Sequence, residues 1–167
     1  MRSDDLLRDL DIDEVKNNIK DADIVFINIG ANELLDLFDY MDLSSFDRKM
    51  INDMINYIEA FFQNELESLY LSALEDFKNI FPQIIAKIKE YNPDIKIYVN
   101  NLYNPFANLS IPLINLDLSF IENFSDNAIK SFNEVITGIL PTNSGISPNF
   151  TRSCVTTFDI ISICFII

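Results

Sequence analysis

Ile24-Val25-Phe26-Ile27-Asn28-Ile29-Gly30-Ala31-Asn32-Glu33 is the stretch whose reading decides the fold of this chain. Ile24 to Ile29 is a short, nearly continuous apolar run rich in β-branched residues, the pattern of a parallel strand buried on both faces. Gly30 makes a turn, and Ala31 to Tyr40 reads as a helix with Leu34, Leu35 and Phe38 as its buried stripe. At the turn stands Asn32, an uncharged amide donor. A donor placed there suits an oxyanion hole. A plainer reading stays open: a turn Asn that tolerates unusual φ/ψ or caps the following helix.

Upstream, Ser3-Asp4-Asp5-Leu6-Leu7 reads as a capped helix start with acidic residues in its first turn. Asp13 then caps a second helical stretch, in which Val15 and Ile19 stand i,i+4. Asp21-Ala22-Asp23 breaks it. Downstream, Ser44 or Ser45 opens a long helical region, with Ile51, Met54, Ile55, Ile58, Phe61 and Phe62 in an i, i+3, i+4 rhythm. Leu66 to Tyr91 continues helical, with Pro82 as a boundary or kink. Asn92-Pro93 turns the chain into a second strand, Ile95 to Val99. A loop from Asn100 to Pro112 follows, and Phe120 to Ile139 contains a helix whose apolar side is Ala128, Ile129, Phe132, Val135 and Ile136.

Strand, helices, strand, helix implies βαβ units and a parallel sheet. Ligands of open α/β sheets bind beyond the carboxyl ends of the strands. Gly30 to Glu33 and Asn100 to Asn104 both lie at such ends, so one rim is expected to hold both polar loops. Leu140 to Asn149 reads as loop, and Val155 to Ile167 as one further strand. The expected division is an α/β domain over residues 1–140 and a loop plus terminal strand over 141–167.

The chain has 167 residues, 49% of them hydrophobic, enough for one domain with a real core. Twenty-six acidic residues against 12 basic ones give a net charge of −14. That balance argues against nucleic acid, whose phosphates need Lys and Arg, and against anionic lipid. Cys154 and Cys164 are the two cysteines, too few for a disulfide framework and better read as small apolar residues. There is no zinc-type Cys/His pattern, and no metal or cofactor is expected. The acidic N-terminal residues are not a signal-peptide pattern, and the apolar run Ile160 to Ile167 is too short to span a bilayer. Localisation is left open. The chain contains no histidine, and its serines precede apolar or helical runs or lie in the Gly/Pro loop, with nothing to activate them. Asp36 and Asp39 fall on the solvated face of their helix and receive no chemistry.

Gly30-Ala31-Asn32-Glu33 resembles the Gly-x-Asn-Asp block of the SGNH (GDSL-type) lipases and acylhydrolases. The segment Tyr91 to Val99 followed by Asn101-Leu102-Tyr103-Asn104-Pro105-Phe106 is similar to a later helix–strand–loop of one bacterial branch, and Asp126 to Ile136 to the next helix. The resemblance covers roughly residues 1–139. It implies a flavodoxin-like three-layer α/β/α sandwich and ester hydrolysis through an acyl-serine. In that family a Gly-Asp-Ser block supplies the nucleophile, a second glycine and the third-block Asn supply oxyanion donors, and an Asp-x-x-His block supplies the base. Only the third element carries over, onto Gly30 and Asn32, with Glu33 where the family has Asp. Asn101 and Asn104 are placed on the rim of the substrate cleft.

No Gly-Asp-Ser and no Asp-x-x-His is present. The expectation is a partial hydrolase lacking its first strand and closing helix, inactive alone, with a small acyl ester as the parent family's substrate. Loss of the first strand would bare a sheet edge and favour self-association. The alternative is a non-catalytic α/β binding or interaction module.

Overall fold

A computed structural model describes residues 1–40, 51–104, 119–140 and 163–166. Two helices come first, α1 (Ser3–Asp9) and α2 (Asp13–Asp21), followed by strand β1 (Ile24–Ile27). Next are α3 (Ala31–Leu35), a 3-10 helix over Asp36–Tyr40, α4 (Ile51–Asn64) and α5 (Leu66–Tyr91). Strand β2 (Lys96–Val99), α6 (Ser119–Ile139) and β3 (Ile163–Ile166) complete the described elements. The Ser44/Ser45 helix start, the proline-containing part of the loop after β2, the loop at 141–149 and Cys154 lie outside the described residues.

β1 and β2 pair in parallel, Ile24 opposite Lys96 and Ile27 opposite Val99. The ladder extends by Lys96 N–H to the Asp23 carbonyl and Asn100 N–H to the Ile27 carbonyl, each at 3.0 Å. This is the α/β architecture that the resemblance implies, with a small parallel sheet and many helices. β3 pairs antiparallel with the other side of β1, so the strand order is β2-β1-β3. Both edges of β1 are therefore paired.

β1 is shorter than its apolar run, and it is not equally buried on both faces. Val25 and Ile27 are sealed, as are their register partners Ile97 and Val99. Ile24 and Phe26 are half-buried, and Phe26 stacks on Tyr98 at 5.2 Å on the opposite face. The sealed face packs into a cluster with Leu6 and Leu10 from the α1 region, Ile19 of α2, Phe77, Phe81, Ile84 and Ile88 of α5, and Phe132 and Ile136 of α6. Phe77 touches both Phe81 (5.2 Å, stacked) and Phe132 (4.9 Å). Large side chains buried this completely each contribute about 1.5–3 kcal/mol relative to exposure. A second, smaller cluster joins Leu37, Phe61, Leu66 and Ala73, with Tyr70 packed edge-on against Phe124.

Several local expectations are corrected. The Ala31–Tyr40 helix is α only to Leu35 and tightens into 3-10 geometry after it. That change of pitch rotates Leu35 outward, to 46% exposure, and Leu37 inward, to 6%. Ser3 and Asp13 are first helical residues, not caps; Arg2 and Ile12 hold the cap positions. The start of α1 is closed by Asp5, whose carboxylate accepts the Arg2 N–H at 3.2 Å. Pro82 neither bounds nor interrupts α5, which continues to Tyr91. Phe81 and Ile84, sealed on either side of it, offset the missing backbone hydrogen bond. Asn92 ends α5, and its amide donates to the carbonyls of Ile19 (3.0 Å), Lys20 (3.3 Å) and Ala22 (2.9 Å), closing the exit of α2 as well.

Candidate active-site rim

The parallel register brings the carboxyl ends of β1 and β2 to one rim, as the sequence implies. Gly30 is what turns the chain there. Its φ of 100° and ψ of −20° lie in the left-handed region, where a Cβ is strained. A Cβ at Gly30 would also stand 3.2 Å from Leu102 Cδ1 and 3.5 Å from both Phe77 and Phe132. The conformation demands glycine, and a Cβ would also press on Leu102. The close approach of Leu102 shows that the two rim loops touch.

Gly30 also caps α3, so Asn32 is not the cap. Its side chain does something else: Nδ2 donates to the Met1 carbonyl at 3.0 Å, across 31 residues of sequence. The chain start is thus drawn against the Gly30–Glu33 turn. Glu33 reinforces this contact, because its Oε1 accepts the Ser3 backbone N–H at 2.5 Å. Glu33 is 1% exposed, the most buried charged residue among the described residues. Nothing in the local pattern marks it, since a Glu in a first helical turn ordinarily faces water. Its partner, thirty residues away, is the signal that sequence periodicity lacks.

The second loop is held by a residue not singled out as a site. Asn133 of α6 clamps Leu102 at both backbone groups: Leu102 N–H to Asn133 Oδ1 at 2.8 Å, and Asn133 Nδ2 to the Leu102 carbonyl at 3.0 Å. Leu102 is thereby fixed against Gly30. Asn101 is exposed beside it. Asn104 points its amide to Asp126 Oδ1 at 2.6 Å and so is engaged with α6. What the fold brings together at this rim is Gly30, Leu102 and the chain start.

Charge is arranged locally around that start. The Arg2 backbone N–H, then the Arg8 guanidinium, hold the Asp5 carboxyl below the usual carboxylate range, and Asp5 in turn raises Arg8. Arg2 pairs with Asp36 at 3.4 Å, so Asp36 is not a merely solvated side chain. Among the described residues no helix is long and apolar enough to cross a membrane.

The family whose members are described as GDSL-like lipase/acylhydrolase matches residues 2–147. The chain belongs to that family. Over 106 residues this GDSL-like chain is 32% identical to a Bacillus subtilis (strain 168) protein named uncharacterized protein YpmR, across 64% of this chain and 34% of that one. Its fold is shared by the crystal structure of the lipase Lip_vut3 from a goat rumen metagenome, with a TM-score of 0.55 and 20% identity, over 84% of this chain and 54% of the lipase. The GDSL-like chain thus spans about a third of the length of the first protein and about half of the second.

Proposed function

We propose that this chain carries the oxyanion-hole part of a GDSL-type ester hydrolase, and that its 167 residues alone do not turn over esters. The observation that carries the reading is the rim geometry: left-handed Gly30 at the end of β1 with the Asn32 amide immediately after it. An amide nitrogen has two hydrogens. One goes to the Met1 carbonyl; the other has no partner among the described residues and would serve the oxygen that gains charge when an ester carbonyl is attacked. One such donor contributes roughly 3–4 kcal/mol to the tetrahedral intermediate. A serine hydroxyl needs a base to lose its proton. The sequence has neither a histidine nor a Gly-Asp-Ser block, so the parent chemistry lacks both its nucleophile turn and its base within these residues.

The test has two steps. The chain is first assayed on a short-chain nitrophenyl ester, where the expected rate equals buffer. Hydrolysis that disappears in Asn32→Ala would overturn the claim of inactivity. The DNA flanking the reading frame is then translated in all frames. If it encodes Gly-Asp-Ser upstream and Asp-x-x-His downstream, the joined protein is expected to hydrolyse the ester. Asn32→Ala should then lower kcat by about 10²–10³. An unchanged kcat would remove Asn32 from the oxyanion hole.

A further inference from the structure

Two consecutive residues of α6 reach the rim in different ways. Phe132 is fully buried and stands 3.5 Å from where a Cβ of Gly30 would lie. Asn133, about 100° further round the helix, takes the Leu102 backbone instead. Its Oδ1 accepts the Leu102 N–H at 2.8 Å, and its Nδ2 donates to the Leu102 carbonyl at 3.0 Å. The Leu102 side chain then closes over the same glycine, with Cδ1 3.2 Å from the place a Cβ would take. So α6 meets the Gly30 turn directly through Phe132, and indirectly through Asn133 and Leu102.

The hold on the second loop is specific. Asn100 N–H still bonds the Ile27 carbonyl at 3.0 Å, but beyond it side chains of α6 tie the loop down. Asp126, on the same face of α6 as Asn133, takes the Asn104 amide at 2.6 Å. Asn133 differs in what it holds: the residue that touches Gly30. Asn is a poor helix former away from helix ends, and α6 runs on to Ile139, so helix propensity does not account for it there. A carboxamide carries an acceptor and a donor on one planar group, which matches the N–H and C=O of a single residue.

We propose that Asn133 is a positioning residue for the oxyanion turn: by holding Leu102 at both backbone groups, it keeps Gly30 in its left-handed conformation and the Asn32 amide in one orientation. Asn32 follows two residues later on the first turn of α3, so a shift of Gly30 carries it along. The catalytic meaning of this link rests on the oxyanion reading of Asn32, but the link itself is measured without any ester.

The full chain, labelled with ¹⁵N, is compared with its variants by NMR. The signal read is the Asn32 side-chain amide, identified as the one that Asn32→Ala removes. Asn133→Ala should shift it and speed exchange of its hydrogens with water about tenfold, the scale of losing two hydrogen bonds that hold a loop. Asn92→Ala is the control. It removes three hydrogen bonds near the amino ends of β1 and β2, and should lower the melting temperature while leaving the Asn32 signal in place. Asn133→Asp keeps the acceptor for the Leu102 N–H but not the donor. It should give a smaller shift, and it decides the matter if Asn133→Ala fails to fold. An Asn32 signal unchanged in the folded Asn133 variants, or moved as far by Asn92→Ala, would overturn the proposal. Failure of the oxyanion reading would show elsewhere, as an unchanged kcat in Asn32→Ala, and would leave the coupling between the two residues standing.

Discussion

One helix serves two cores, and its halves differ. From Phe77 to its C-terminal end, α5 presents Phe77, Phe81, Ile84 and Ile88, each fully buried, to the sheet and to α1, α2 and α6. The N-terminal half presents Leu66 and Ala73 to a smaller group built with Leu37 and Phe61. Both halves follow helical spacing. The difference lies in what they meet: a paired sheet on one side and, among the described residues, only other helices on the other. The lesson is that the rim rests on the larger core, since Phe77 and Phe132 lie within van der Waals reach of Gly30, while a cavity walled by Leu37 and Leu69 leans on the smaller one.

The largest expected effect tests that contrast directly. Phe77→Ala should cost about 4–5 kcal/mol and leave little folded protein, whereas Phe61→Ala should fall nearer 3 kcal/mol, because a smaller, helix-only cluster relaxes more easily around the gap. Urea unfolding measures both. Hydrogen exchange should show Phe61→Ala loosening α4 and the first half of α5 while the second half stays protected. Equal losses in the two variants would erase the distinction between the cores.

Next in size is the junction between the large core and the rim. Gly30→Ala forces a Cβ into a left-handed backbone and against Leu102, at a cost on the order of 1–3 kcal/mol. Thermal melting reads it. A melting temperature unchanged from the parent would mean that the turn is not constrained as its geometry indicates.

The smallest effect concerns the surface of the well-buried half. Asp11, after α1, accepts from Lys87 at 2.6 Å and from the Tyr91 hydroxyl at 3.1 Å, both near the end of α5. The Lys87 ammonium, followed by that hydroxyl, holds the Asp11 carboxyl below its ordinary value. A lowered carboxyl stabilises the fold above its unfolded pKa, and that contribution is lost as pH falls through the folded value. The parent melting temperature should therefore drop on acidification below about pH 4, and the drop should be shallower in Asp11→Asn. Added salt should shrink the difference, since the pair is exposed. Parallel pH curves for the two proteins would show that the pair contributes nothing. Lys87 is raised by the same contact, so its share runs the other way, present at neutral pH and fading only in strong alkali.

Much of the fold was legible because it is written at short range. The apolar runs at Ile24 and Ile95, the helical rhythm of α5 and α6, and the glycine between β1 and α3 are local patterns, and each appears in its expected place. Adjacent parallel strands follow from their order, and with them the shared rim. Pro82 was legible as a residue but not in its effect, because burial of Phe81 and Ile84 outweighs a local penalty. Ser3 and Asp13 carried capping chemistry that the backbone did not use. At the candidate site, Gly30 could be read from the turn it makes. The partner of Asn32, the Asn133 clamp on Leu102 and the burial of Glu33 could not.

By itself, then, the sequence determined the kinds of element, their order, the glycine turn that sets Asn32 after β1, and the absence of histidine from these residues. Only the tertiary structure decided that Met1 and Ser3 lie against that turn, that β3 pairs with β1, and that Glu33 is buried with its Oε1 on the Ser3 N–H. The physical reason is range. Periodicity and turn chemistry depend on neighbours a few residues apart, whereas each of those decisions joins groups about thirty or more residues apart, chosen only when the whole core closes.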